Sequence, residues 1–115
     1  MKRLLQFIET SLFTKQIKSL ITDDEYSQLQ DSLMNEPEQG DIVIGTGGVR
    51  KTRFAIGNRG KSGGLRIIYF YVDSKGRIYM LLAYPKSKQT TLSDEEKSIL
   101  LKLTTAIKEN IQNEQ

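Results

Sequence analysis

The chain contains no cysteine and no histidine among its 115 residues. The first absence excludes disulfides, thiolate metal sites and a cysteine nucleophile. The second removes the commonest general base and the commonest metal ligand, so any catalysis must run on Lys, Arg, Tyr, Ser, Thr or carboxylates. Long apolar runs are missing as well. The longest, Ile78 to Tyr84, is far too short to span a bilayer. Near the start, Glu9 ends the apolar stretch LLQFIE before it can serve as a signal core. A cytoplasmic protein with no membrane partner is therefore expected.

Acid is scarce where base is abundant. From Gly45 to Tyr71 the sequence reads GTGGVRKTRFAIGNRGKSGGLRIIYFY, with six basic residues, seven glycines and no acid. Between Ile42 and Ser93 ten basic residues face one acid, Asp73, a net +9 in a chain whose total is +3, so the remainder carries −6. Charge segregated this way is a directed field that attracts a polyanion. A solvated surface that merely leans positive is the plainer alternative, though ordinary surfaces intersperse both signs.

The length fits one domain, 1–115, with a single core. Residues 3–9 read as a first edge strand or a helical start. From Ser11, Phe13, Ile17, Leu20 and Ile21 fall on one helical face. Thr22 to Glu25 form a capping box that restarts the helix, and Pro37 with Gly40 closes it. The two helices read as a hairpin. Strands follow at 42–44, 49–56, 65–72 and 77–84, with a Gly/Lys-rich loop at 57–64 and a four-residue turn at Asp73–Gly76. Lys51 and Arg53 alternate with Phe54 and Ile56 on opposite faces. The last two strands are apolar on both faces and so belong mid-sheet. Ser93 to Glu96 is a second capping box, opening a helix whose buried stripe is Ile99, Leu100, Leu103, Ile107 and Ile111. The expected class is α+β: an antiparallel sheet of about four strands with an N-terminal helical hairpin and a C-terminal helix.

No cofactor motif survives inspection. Gly60-Lys61-Ser62 resembles the end of a P-loop, but Ala55 stands where its first glycine belongs and a strand follows instead of a helix. Gly45-Thr46-Gly47 lacks the third glycine of a dinucleotide fingerprint, and no carboxylate cluster has metal spacing. No metal and no cofactor are expected. What remains is a basic sheet face of Lys51, Arg53, Arg66 and Lys86, ends of strands that can converge on one phosphate and neutralise charge developing in an in-line displacement. Crowded cations also favour proton loss from a lysine, which could then act as a base. Tyr69, Tyr71, Tyr79 and Tyr84 are either stacking faces for unpaired bases or core residues. Arg50, Arg59, Lys61 and Lys88 are further candidates for contacting a polyanion such as RNA.

The ordered series GDIVIGTGGVRKTRFA, GKSGGLRIIYFYVD and IYMLLAYPK, ahead of a closing LSDEEK helix, resembles the RelE/HigB toxins of bacterial type II toxin–antitoxin systems, the Vibrio-type HigB branch in particular. The resemblance covers nearly the whole chain. It implies a RelE-like fold and a ribosome-dependent endoribonuclease (an mRNA interferase) that cuts mRNA in the A site of the small subunit and inhibits translation. It also implies a cognate antitoxin, expected to be of helix-turn-helix type, that masks the basic face. By the same resemblance Lys51 and Arg53 match the family's basic strand pair, Arg66 its arginine opening the next strand, and Lys86 the basic residue after the last strand. Ser87 and Leu92 stand where RelE has a second arginine and a tyrosine, so the proton-transfer residue is unassigned, with Tyr84 a stand-in. A non-catalytic nucleic-acid-binding module and a docking domain for an acidic protein are the alternatives that the residues alone leave open.

Overall fold

A computed structural model describes residues 4–56, 64–89 and 91–114. Its elements are β1 (Gln6–Glu9), α1 (Ser11–Leu20), α2 (Asp23–Asn35), β2 (Asp41–Ile42), β3 (Arg50–Phe54), β4 (Leu65–Val72), β5 (Arg77–Pro85) and α3 (Asp94–Gln112). The strands form one sheet in the order β1-β5-β4-β3-β2. Neighbours from β2 to β5 are antiparallel, whereas β1 runs parallel to β5, with Phe7 beside Ile78. The sheet is thus mixed and five-stranded, not antiparallel with about four strands. The reason is connectivity. A tight turn imposes antiparallel pairing on consecutive strands, but β1 and β5 are joined by no turn and are free to align in parallel.

Each side of the sheet carries its own core. Phe13 and Ile17 of α1 with Leu29 and Leu33 of α2 pack on Leu65, Ile67 and Tyr69 of β4 and on Ile78 and Met80 of β5. On the other side Ile68 and Phe70 of β4, with Leu81 and Tyr84 of β5, meet Leu100 and Ile107 of α3. The alternation along β4 follows from the period-2 geometry of a strand, and burial on both faces places β4 and β5 mid-sheet, as their sequences imply. The helix starts also form as read. Thr10 caps α1 by accepting from the Phe13 amide, and Thr22–Glu25 and Ser93–Glu96 form complete capping boxes. Gly76, at φ +63°, ends the turn into β5.

Strand bounds and one buried stripe differ from expectation, β3 being Arg50–Phe54 where the sequence reads 49–56. β2 is Asp41–Ile42, and Ile44 lies 87% exposed in the following turn. There the Thr46 hydroxyl donates to the Val43 carbonyl and accepts from the Val49 amide, while Gly45, Gly47 and Gly48 take positive φ, so the chain folds back before a longer strand can form. In α3 the buried line is Leu100, Thr104 and Ile107, with Leu103 and Ile111 partly covered, but Ile99 is 58% exposed. Thr104 takes a central place because its hydroxyl donates to the Thr46 carbonyl at 2.8 Å.

Candidate active site

The alternation of β3 and its register with β4 decide where the cations go. Arg53 lies directly opposite Arg66, and Arg66 directly opposite Tyr84. Opposed residues of antiparallel strands share a face, with Cβ atoms about 4.5–5.5 Å apart. Arg53, Arg66 and Tyr84 therefore form one row across three strands. Lys51, two residues before Arg53, lies on the same face. Two clefts open beside the row. One of about 500 Å³ is lined by Gln39, Asp41, Lys51, Thr52, Arg53 and Arg66. The other, about 420 Å³, is lined by Arg53, Phe54, Ala55, Gly64, Leu65, Arg66 and Lys86. Arg53 and Arg66 form the shared wall, so the structure brings Lys51, Arg53, Arg66 and Lys86 together.

The electrostatics of this wall are unfavourable as they stand. Like charges directly opposed on neighbouring strands destabilise a sheet, and Arg66 is only 8% exposed with its Nε lacking a partner. Among the described residues the ion pairs are Arg50–Glu38, Lys75–Glu114 and Arg77–Glu114, and none involves the four cleft cations. A buried guanidinium lacking a counter-ion is costly unless an anion arrives to pair with it. Such an arrangement favours the arrival of an anion. No group of three metal-capable side chains occurs among the described residues, and no helix there is long and apolar enough to cross a membrane.

Other sequence candidates are placed differently. Tyr84 is 7% exposed and its hydroxyl is buried with no partner. Burial pushes its phenol pKa up, Glu96 adds to the rise, and Arg66 opposes it. A phenol held protonated is a donor, not a base. Tyr69 is fully buried, its hydroxyl donating to the Pro37 carbonyl and accepting from the Gly40 amide, so it is a core residue and no stacking face. Arg50, opposite Tyr69, points to the far side of the sheet, where it donates to the Glu38 and Gly40 carbonyls and pairs with the Glu38 carboxylate. Lys88 is exposed on the turn after β5 and lines neither cleft. Arg59 and Lys61 lie outside the described residues. Sequence reasoning missed Gln39 and Asp41. An Asp just after Gly40 reads as turn chemistry, and only the β2–β3 register reveals that Asp41 faces Lys51.

The fold is thus of the α+β class, with a mixed sheet that presents cations around two adjoining clefts. Comparison with known proteins narrows that class. Residues 6–115 match the family model described as the RelE toxin of the RelE / RelB toxin–antitoxin system, and the chain belongs to this RelE toxin family. A solved structure of a mutant of the E. coli toxin RelE in the free state is similar in fold, with 15% identity and a TM-score of 0.52. That alignment covers 90% of this chain and 98% of the other. A chain of an archaeal RelE–RelB complex from Pyrococcus horikoshii OT3 aligns at 22% identity with a TM-score of 0.49, covering 74% of this chain and 98% of that one.

Proposed function

We propose that this RelE-family toxin is a ribosome-dependent endoribonuclease that cleaves mRNA in the A site, and that within the family it belongs to the HigB branch its motif order resembles. The observation that carries the nuclease reading is the buried Arg66 facing Arg53 across β3 and β4, neither in an ion pair with a described residue. An RNA 2′-hydroxyl attacks the adjacent phosphate, and the two guanidinium groups stabilise the charge that accumulates on its non-bridging oxygens. Lys51 and Lys86 flank the pair in the two clefts and supply further positive charge and a proton donor. A helix-turn-helix antitoxin encoded alongside is the expected partner, covering the basic face; the family's RelE / RelB description supports an antitoxin partner as such.

The test is primer extension on translating ribosomes. Arg66→Ala removes a donor aimed at the transition state and should cost roughly 100- to 1000-fold in cleavage rate, with folding checked by circular dichroism. Because Arg66 is buried, Arg53→Ala, on a more exposed side chain, provides a second variant whose folding is not at stake. Equal cleavage by wild type and both variants would remove the arginine pair from the site. Absence of cleavage by every protein, wild type included, would leave a non-catalytic nucleic-acid-binding module as the better reading.

A further inference from the structure

A nuclease without histidine needs something to take the 2′-hydroxyl proton, and the described lining of the cleft holds one carboxylate, that of Asp41. Protonated Lys51, Arg53 and Arg66 have no lone pair to offer. The Gln39 amide is committed: its nitrogen donates to the Ser32 carbonyl and hydroxyl and to the Glu36 carbonyl, and its oxygen accepts from the Thr52 hydroxyl. Asp41 remains. It lies directly opposite Lys51 and lines the cleft with Arg53 and Arg66, yet its carboxylate makes no ion pair with any described residue.

We infer that the Asp41 carboxylate is the general base of the cleavage reaction, an inference that rests on the nuclease reading above. The mounting of this residue supports it. The segment just before Asp41 is fixed at four points: Tyr69 bonds both the Pro37 carbonyl and the Gly40 amide, and Arg50 grips the carbonyls of Glu38 and Gly40. Gln39 ties the same segment to α2 and to β3. That is a large investment in four residues of loop, and it holds the start of β2 against β3. A base must be held within hydrogen-bond reach of the proton it removes, and this segment is built for that.

The two clefts also offer positions on either side of the arginine pair. Asp41 lies in one cleft and Lys86 in the other, with the Arg53–Arg66 wall between them. In an in-line displacement the nucleophile and leaving group occupy opposite sides of the phosphorus. Asp41 Oδ accepts the 2′-hydroxyl proton as the 2′-oxygen–phosphorus bond forms. The phosphorus–5′-oxygen bond breaks, and the leaving 5′-oxygen takes a proton from the Lys86 ammonium. The products are a 2′,3′-cyclic phosphate and a 5′-hydroxyl, after which water exchange restores Asp41 and Lys86.

Single-turnover cleavage of mRNA on programmed ribosomes at saturating toxin tests this, with Asp41→Asn and Asp41→Glu beside the wild type. Asp41→Asn should lose about 100- to 10,000-fold in rate, while its ribosome affinity and melting temperature stay at wild-type values. Asp41→Glu, which keeps a carboxylate, should recover part of the loss. Wild-type rates for Asp41→Asn, or a loss explained by weaker ribosome binding, would overturn the assignment and leave the nuclease reading intact. No recovery in a folded Asp41→Glu that binds normally would also count against it. A wild-type protein that does not cleave at all would remove the nuclease reading and this inference together.

Discussion

A single methyl group at Gly40 would disturb the whole cleft. A Cβ there would sit 2.8 Å from the Lys51 carbonyl oxygen and 3.0 Å from the Tyr69 hydroxyl, so β2 would have to move away from β3. Gly40→Ala should destabilise the protein by about 1–3 kcal/mol, the usual cost of overpacking, seen as a lower urea midpoint, and cleavage should fall even where the protein remains folded. Tyr84→Phe should behave in the opposite way. Its hydroxyl is buried without a partner, an arrangement that costs on the order of 1–3 kcal/mol, so thermal unfolding should show a stability unchanged or raised. Parity along β3 put Lys51 and Arg53 on one face, whereas the side to which Arg66 points was not readable on a strand apolar on both faces and needed the β3–β4 register. Charge alone misjudged Arg50, because neighbouring residues of a strand point to opposite faces and its partners Glu38 and Gly40 become visible only in three dimensions. Asp41 was illegible for a related reason. Its significance lies in the cross-strand register and in the pinning of the segment before it, neither of which leaves a local pattern.

Elements marked by local chemistry were the readable ones. Both capping boxes, the turn at Asp73–Gly76 and the limits of β4 follow from side chains within a few residues of one another. The parallel pairing of β1 and the exposure of Ile99 depend on distant partners, and a periodic pattern carries no trace of these. Helix α3 shows how such long-range choices are made. Thr104 donates to the Thr46 carbonyl, and the Lys108 ammonium donates to the Gly47 carbonyl at 2.8 Å while lying 5.7 Å from the centre of the Phe70 ring. These contacts fasten the helix to the turn that feeds β3. Thr104→Val keeps the shape but leaves the buried Thr46 carbonyl without this donor, at a cost of about 1–3 kcal/mol. Hydrogen exchange should then quicken at the turn and along α3 before it does in β4.

For the molecule as a whole, the charge division seen in the sequence acquires a direction. Lys51, Arg53 and Arg66 lie on one face with Lys86 lining the adjoining cleft, and the acids at the starts of α2 and α3 serve helix N-termini. If all four cations neutralise phosphates, the logarithm of RNA affinity should fall with the logarithm of salt at a slope of about −3, from roughly 0.7 per contact on a single strand. Filter binding over a salt series measures it, and a flat profile would favour docking to a protein instead. The parallel strand β1 has a further consequence, in time. Its partner β5 is 71 residues downstream, since Phe7 pairs with Ile78. At roughly 5–20 residues per second of synthesis, β1 waits on the order of 4–14 s for the strand it will join. The cleft wall likewise needs β4, made after β3. A nascent chain therefore cannot assemble this cleft before β4 and β5 have both been made.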